Sequence, residues 1–212
     1  MHALIIGATG ATGKDLVNTL LQDNDYSRVT VFVRKSTGKI HPKLTEYIIE
    51  FSEIEQYSPL IVGDVFFFCL GTTLKTAGSK AKQWKIDFDI PAKFARLARQ
   101  NDIHTCVLVS SFGASARSKL FYSRMKGELE DAIRTMKFSQ YIIFKPGALL
   151  RENSDRFYEK LAVTMLKTLN SIGLFLKHKP LPTQTLAEKL AKSPKILPDG
   201  ISIVELTNIA EL

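Results

Sequence analysis

One short stretch near the start constrains this chain more than any other. The apolar run His2-Ala-Leu-Ile-Ile6 stops at Gly7-Ala-Thr-Gly10-Ala-Thr-Gly13, and from Lys14 the pattern turns helical, with Leu16, Val17, Leu20 and Leu21 recurring on one face. A strand that turns sharply into a helix through glycines three apart leaves few folds open. Gly7 allows the tight turn, Gly10 lets a pyrophosphate approach the backbone, and Gly13 lets the helix lie close to the strand. The phosphates would rest on the free N–H groups and positive end of that helix. Gly7, Ala8, Thr9, Gly10, Ala11, Thr12 and Gly13 are therefore the expected phosphate cradle. The spacing is G-x-x-G-x-x-G rather than G-x-G-x-x-G, so its weight comes from its place between a first strand and a first helix.

Beyond the cradle, strand-like and helix-like segments alternate, which predicts an α/β fold: a doubly wound parallel sheet with helices on both faces. Val29–Val33 reads as a second strand and Tyr47–Glu50 as a third. Val65–Leu70 is an unbroken apolar run, as expected of a strand buried on both faces. Pro91 suits the first turn of a helix carrying Phe94, Ala95, Leu97 and Ala98. Thr105–Ser110 is a fifth strand, Phe121–Met136 a helix, and Tyr141–Lys145 a sixth strand stopped by Pro146-Gly147. From about Arg151 the pattern changes. Tyr158, Leu161, Met165, Leu169 and Ile172 follow helical spacing, Thr185 begins a short helix through Lys192, and Ser202-Ile-Val-Glu205 has the form of a capping box opening a terminal helix. The expected organisation is a nucleotide-binding unit over 1–150 and a small, mostly helical substrate-covering segment over 151–212, in one compact body. A helix lying on a membrane surface at 157–176 is the alternative for the tail.

With 212 residues, 45% of them hydrophobic and 24% charged, one sizeable core is available. No run of eighteen apolar residues occurs, so no membrane span is expected. No basic segment precedes the first strand, which argues against a signal peptide. Both cysteines, Cys69 and Cys106, fall in predicted buried strands, the pattern of reduced thiols in a cytoplasmic protein. The formal charge of +8 is dispersed along the chain with no recognition helix, so nucleic acid is not an expected partner; a basic surface also suits an anionic cofactor or substrate. His2, His41, His104 and His178 have no metal-ligand spacing, and no metal is expected.

The second strand ends Val33-Arg34-Lys35-Ser36. An acid there would hold a ribose 2′-OH, whereas a guanidinium grips a 2′-phosphate with two charge-assisted hydrogen bonds. The expected cofactor is NADP(H), with NAD less favoured; Arg34 is the main ligand, and Lys35 or Ser36 assists. Tyr122 and Lys126, four apart, share one helix face. A nearby ammonium eases proton loss from a tyrosine, which makes Tyr122 a candidate general acid or base and Lys126 its partner. Ser110 and Ser111, at the end of the fifth strand, are both placed to bond a substrate oxygen. Tyr141 and Lys145 share the four-residue spacing but lie on a strand, and are taken as a decoy. The stretch Gly71–Asp87, with Lys75, Lys80, Lys82, Lys85 and Trp84, reads as a solvated loop with Trp84 beneath it; the alternative is a basic flap over an anionic or planar substrate.

Gly7-x-x-Gly10-x-x-Gly13, Cys69-Leu-Gly-Thr-Thr73, Val109-Ser-Ser111, Tyr122-x-x-x-Lys126-Gly-Glu128 and Phe144-Lys-Pro-Gly147 together resemble the short-chain dehydrogenase/reductase superfamily. Within it the chain is similar to the small atypical members of the Tat-interacting oxidoreductase-like family. The resemblance implies a Rossmann fold with strand order 3-2-1-4-5-6, NADP(H), and a Ser-Tyr-Lys site. By position, Leu70, Gly71 and Thr72 would pass along the cofactor, and Pro146 and Gly147 would line the nicotinamide pocket. Tyr122 and Lys126 would touch the cofactor as well as the substrate. The asparagine that completes the proton relay in many members has no clear match. The implied function is reduction of a small carbonyl substrate; the alternative is an NADP(H)-binding regulator with little or no catalysis. An epimerase shares the triad, but the tail after residue 150 is short for a sugar-nucleotide domain. The superfamily also allows a homodimer through the Phe121–Met136 helix.

Overall fold

The computed structural model describes residues 1–150 and 180–212. Strand β1 (His2–Ile6) runs into helix α1 (Ala11–Gln22), and β2 (Arg28–Val33), β3 (Leu44–Ile48) and a 3-10 turn (Ile54–Leu60) follow. β4 (Val65–Phe68) leads through α2 (Leu74–Ala77), α3 (Lys80–Trp84) and a π-helical turn (Lys85–Asp89) into α4 (Ile90–Gln100). Next come β5 (Thr105–Val109), α5 (Phe121–Thr135), β6 (Gln140–Lys145) and β7 (Leu149–Leu150); beyond the gap lie β8 (Leu181–Pro182), α6 (Thr183–Ile196), β9 (Gly200–Glu205) and α7 (Thr207–Glu211). The main sheet has the order β3-β2-β1-β4-β5-β6-β9 and is parallel throughout; β7 and β8 pair separately. The expected Rossmann order is present, extended by one strand.

Side-chain alternation explains why the central strands are mostly apolar on both faces. Ala3, Ile5, Val31, Phe67, Val107 and Ile142 face one layer, where they meet Leu16, Val17 and Leu20 of α1 and Leu186, Ala187 and Leu190 of α6. Leu4, Ile6, Phe66, Phe68, Leu108 and Ile143 face the other, against Phe94, Ala95 and Ala98 of α4 and Leu129 and Ile133 of α5. With helices on both faces, every second residue has an apolar surface to bury against. Tyr26 ties the α6 layer down, its hydroxyl donating to the Ala191 carbonyl at 2.7 Å.

Several expectations need correction. Ser202–Glu205 lies in β9, a seventh strand paired with β6, so no capping box forms there and the tail adds a strand to the sheet beside its helices. Ile201 and Ile203 alternate with Ser202 and Val204 at the strand period, and Gly200 at φ +95° starts the strand where a helix cap would not. Gly71–Asp87 is not a loop beyond Thr73: short helices feed continuously into α4. The π turn there has a local cause. Pro91 has no N–H, and its ring would press on the carbonyl of Asp87 four residues earlier; the chain widens, and the Ile90 N–H bonds Lys85 O instead. Cys69 sits just past β4 and is only half-buried, while Cys106 is buried in β5; both are free thiols. β3 spans Leu44–Ile48, a few residues before the expected segment. The helical spacing from Tyr158 to Ile172 and the surface-helix alternative at 157–176 lie outside the described residues.

Candidate cofactor and catalytic site

Parallel register brings the carboxyl ends of the central strands to one edge. Ile6 pairs with both Phe32 and Phe68, Phe68 with Leu108, and Val109 with Phe144. The glycine turn, Arg34, Cys69–Thr72, Ser110–Ser111 and Pro146–Gly147 therefore all leave the sheet on the same side. The order reverses between β1 and β4, and a crevice at such a switch point is where open α/β sheets bind ligands.

Two of the three cradle glycines are enforced by contact. Gly7 has φ +84°, and a Cβ there would sit 2.4 Å from the Cys69 carbonyl carbon. A Cβ at Gly13 would lie 2.1 Å from Gly7 O, so helix α1 touches the turn it follows. Gly10 differs: its φ is an ordinary −75°, and a Cβ would meet only Gly7 O at 3.3 Å. It caps α1 with no side-chain hydrogen bond, which leaves the first-turn amides available to an anion. Thr12 and Ala8 are buried beneath this turn. A diphosphate fits a helix terminus of this kind.

Arg34 and Lys35 are exposed beyond β2. Ser36 is committed elsewhere. Its Oγ accepts from the Gly38 N–H at 3.1 Å and its hydroxyl bonds Glu46, whose Oε2 also accepts from the Thr37 N–H at 2.8 Å. Burial pulls the Glu46 pKa up, but these hydrogen bonds from Ser36 and Thr37 outweigh it and hold the carboxyl below its ordinary value. Glu46 on β3 shapes this basic loop, and no spacing in the sequence links it to Ser36 ten positions earlier.

The two serines separate cleanly. Ser110 Oγ donates to Glu130 Oε1, inside a buried network in which Lys145 Nζ lies 2.9 Å from Glu130 Oε2 and donates to Ala114 O at 3.4 Å. Tyr141 donates from its hydroxyl to the Glu130 carbonyl. The Tyr141/Lys145 pair thus braces α5 against the sheet. Ser111 Oγ, by contrast, is buried with no hydrogen-bond partner.

Tyr122 and Lys126 stand one turn apart on α5, with Tyr122 42% exposed and Lys126 3% exposed. The Lys126 ammonium reaches the Gly71 turn, 3.9 Å from where a Cβ on Gly71 would be. Beside it lies a carboxylate that sequence reasoning passed over. Asp87, on the π turn, is fully buried; its Oδ1 accepts from the Thr72 N–H at 2.8 Å, and Oδ2 has no partner. Burial pushes its carboxyl up to about 6, with the Lys126 charge and bonds from Thr72 and Gln83 pulling the other way. Burial likewise pushes the Cys69 thiol up to about 12, so it is neutral. The signal that could have found Asp87 is an acidic residue four before a proline in an otherwise apolar helix start.

At the mouth, Trp84 packs on Phe88 and Phe121 with ring centroids 4.8 and 6.2 Å away, and Lys80 Nζ stands 5.5 Å over the Phe121 ring. Trp84 therefore joins the basic helices to the start of α5. The outward positions of α5 are polar, with an Arg124–Glu128 ion pair at 3.6 Å. Among the described residues no helix is long and apolar enough to cross a membrane, and no group of three metal-ligating side chains occurs.

Comparison with known proteins agrees with this geometry. A family model described as NAD(P)H-binding matches residues 7–168. Protein FMP52, mitochondrial, from Eremothecium gossypii is 32% identical over 152 residues, 72% of this chain and 68% of that protein. Protein HTATIP2 from Rattus norvegicus is 34% identical over 155 residues, 71% of this chain and 64% of that one. Among solved structures, a UDP-glucose 4-epimerase from Thermotoga maritima superposes with TM-score 0.72 at 13% identity, over 97% of this chain and 76% of the other. The oxidoreductase ylbE from Lactococcus lactis does so with TM-score 0.61 at 20% identity, over 73% of each. At such identities these structures support the fold alone. The expectation of a cytoplasmic protein is corrected by the relatives: several carry "mitochondrial" in their names. Two unpaired cysteines are compatible with more than one compartment. The resemblance to the short-chain dehydrogenase/reductase superfamily is borne out, and the chain belongs to the NAD(P)H-binding family.

Proposed function

We propose that this chain is an NADP(H)-dependent oxidoreductase that reduces a small carbonyl substrate, with Ser111, Tyr122 and Lys126 as its reacting residues. The observation that carries this reading is the contrast between the serines. Ser110 is locked to Glu130, while Ser111 Oγ is buried and unpartnered at the strand end that leads to Tyr122. A buried hydroxyl without a partner is costly unless a ligand completes it. Bound NADPH supplies a hydride. Ser111 Oγ donates a hydrogen bond to the substrate carbonyl oxygen, and Tyr122 delivers the proton to that oxygen from its hydroxyl. Lys126 holds its ammonium at the Gly71 turn, where it stabilises the phenolate left behind and reaches the cofactor ribose. Arg34, with Lys35, takes the 2′-phosphate; the first turn of α1, from Ala11 to Gly13, takes the diphosphate; Leu70–Thr72 and Pro146–Gly147 flank the rest.

Calorimetry of NADPH and NADH binding to wild type and Arg34→Glu, followed by a carbonyl panel with wild type and Tyr122→Phe, tests this reading. NADPH binding that Arg34→Glu weakens at least tenfold, with turnover that Tyr122→Phe abolishes, is the expected result. Equal affinity for both cofactors removes the Arg34 assignment. Tight binding without Tyr122-dependent turnover on any carbonyl would assign the chain as an NADP(H)-binding regulator instead.

A further inference from the structure

Among the described residues, the only buried side-chain polar atoms without a partner are Asp87 Oδ2 and Ser111 Oγ. They lie beyond the ends of neighbouring strands β4 and β5, on the same edge of the sheet. Lys126 is the third member of the group. Its side chain is 3% exposed and, among the described residues, enters no ion pair or hydrogen bond. A buried carboxylate with one oxygen unpaired is expensive in isolation, and the nearby Lys126 charge lowers that cost.

Asp87 occupies a particular place in the chain. The π turn forced ahead of Pro91 puts it against the loop that follows β4, where its Oδ1 fixes the Thr72 N–H. Gln83 on α3 holds the other side of the same residue, donating to Thr72 O at 3.0 Å. The Gly71–Thr72 stretch is thus clamped from two helical turns while Lys126 abuts it from α5. The charged group that acts on Asp87 from the packed elements is Lys126; Cys69 at the end of β4 is a neutral thiol, and Gln83 and Thr72 contribute dipoles.

We propose that Asp87 is a positioning residue for the reaction: in the free site its carboxylate is the counter-charge of Lys126, a role the anionic cofactor takes over on binding, and through Thr72 it braces the loop that flanks the cofactor. The inference rests on the cofactor reading above. It assigns to a carboxylate on the π turn the support of the lysine that the absent asparagine would otherwise leave unaccounted for. An anionic ligand bound beside the Gly71–Thr72 loop displaces water and adds negative charge near Asp87; both favour the protonated carboxyl. Cofactor binding is therefore coupled to proton uptake at Asp87.

The test is calorimetry of NADPH binding near pH 6 in buffers of different ionisation enthalpy, for wild type and Asp87→Asn. Asn keeps an oxygen for the Thr72 N–H and removes the charge. Wild type is expected to take up more protons than the variant; titration of the ligand's own 2′-phosphate is common to both and cancels in the difference. Identical proton linkage in a variant that still binds NADPH overturns the Asp87 assignment alone. Failure of wild type to bind either NADPH or NADH overturns the cofactor reading, and this one with it. Should Asp87→Asn not fold, Lys126→Met gives the second measurement. The Asp87 carboxyl, followed by carbon NMR of aspartate-labelled protein, must titrate at higher pH once the ammonium is gone. An unmoved titration in Lys126→Met overturns the proposal.

Discussion

Lys145→Met is the substitution whose consequence follows most directly from the buried network. The Lys145 side chain is 11% exposed and that of Glu130 6%, with 2.9 Å between Nζ and Oε2. Glu205 lies 3.8 Å away and is 44% exposed, so it can turn to water, whereas Glu130 cannot. Removing the ammonium leaves the Glu130 carboxylate with the Ser110 hydroxyl as its remaining side-chain partner. Breaking one side of a buried pair costs about 3–5 kcal/mol, because the remaining charge is uncompensated. For a chain of this size that corresponds to a fall in melting temperature of roughly 6–20 °C. Replacing both charges leaves no stranded ion, and Met is close in length to the lysine stem. Glu130→Gln/Lys145→Met should therefore recover most of the loss, to within about 1–2 kcal/mol of wild type. Urea unfolding of wild type, both single variants and the double variant at pH 7 closes the cycle. A Lys145→Met loss below about 1 kcal/mol, or a double variant no better than the single, would refute the reasoning. Either result would mean that the network is solvated in solution.

Two further perturbations test other parts of the molecule. Gly13→Ala drives a Cβ to 2.1 Å from Gly7 O, a backbone atom that cannot swing aside. It should reduce NADPH affinity at least tenfold and lower stability by about 1–3 kcal/mol, read by calorimetry and thermal unfolding. Lys195 bridges Asp23 at 2.8 Å and Asp25 at 2.7 Å, and so fastens α6 to the end of α1. Burial, the largest single influence, raises the Asp23 pKa, but the Lys195 bond, the Asp25 N–H and the charges of Lys195 and Lys43 together outweigh it, so the folded value lies below the ordinary one. The stability from Asp23 is therefore present above the ordinary aspartate pKa and lost as pH falls through the lowered value. For Lys195 burial lowers the pKa, but bonds to Asp23 and Asp25 raise it on balance, so its contribution is present below the ordinary lysine pKa and fades as pH rises through the raised one. Lys195→Met should lose about 0.5–1 kcal/mol at pH 7 and almost nothing in high salt. An equal loss at both salt concentrations would show that the bridge acts through packing.

Read residue by residue, the sequence carried the first half of the molecule well. Its local patterns are strong: the apolar run and three glycines at 2–13, and the continuous apolar run Val65–Leu70. The helix from Phe121, with Tyr122 and Lys126 on one face, was equally plain. Where signals were short or shared by two structures, local reading misassigned. Ser202–Glu205 satisfies a capping box and a strand equally, and pairing with β6 decides between them. Gly71–Asp87 reads as a loop because its lysines carry no apolar period, yet the helices there are anchored by Trp84 on Phe121 and by Asp87 on Thr72.

What the sequence determined by itself was what neighbours along the chain carry: the identities of β1 to β6, α1, α4 and α5, the glycine turn, the basic end of β2 and the tyrosine–lysine spacing. Only the tertiary structure decided which serine is available, because Glu130 and Lys145, which commit Ser110, lie 20 and 35 positions away in sequence. It alone joined Glu46 to the Arg34 loop and brought Asp87 to Lys126. These choices rest on burial and on distances between segments remote in the chain. Neither quantity exists until the sheet has closed and its helices have covered both faces.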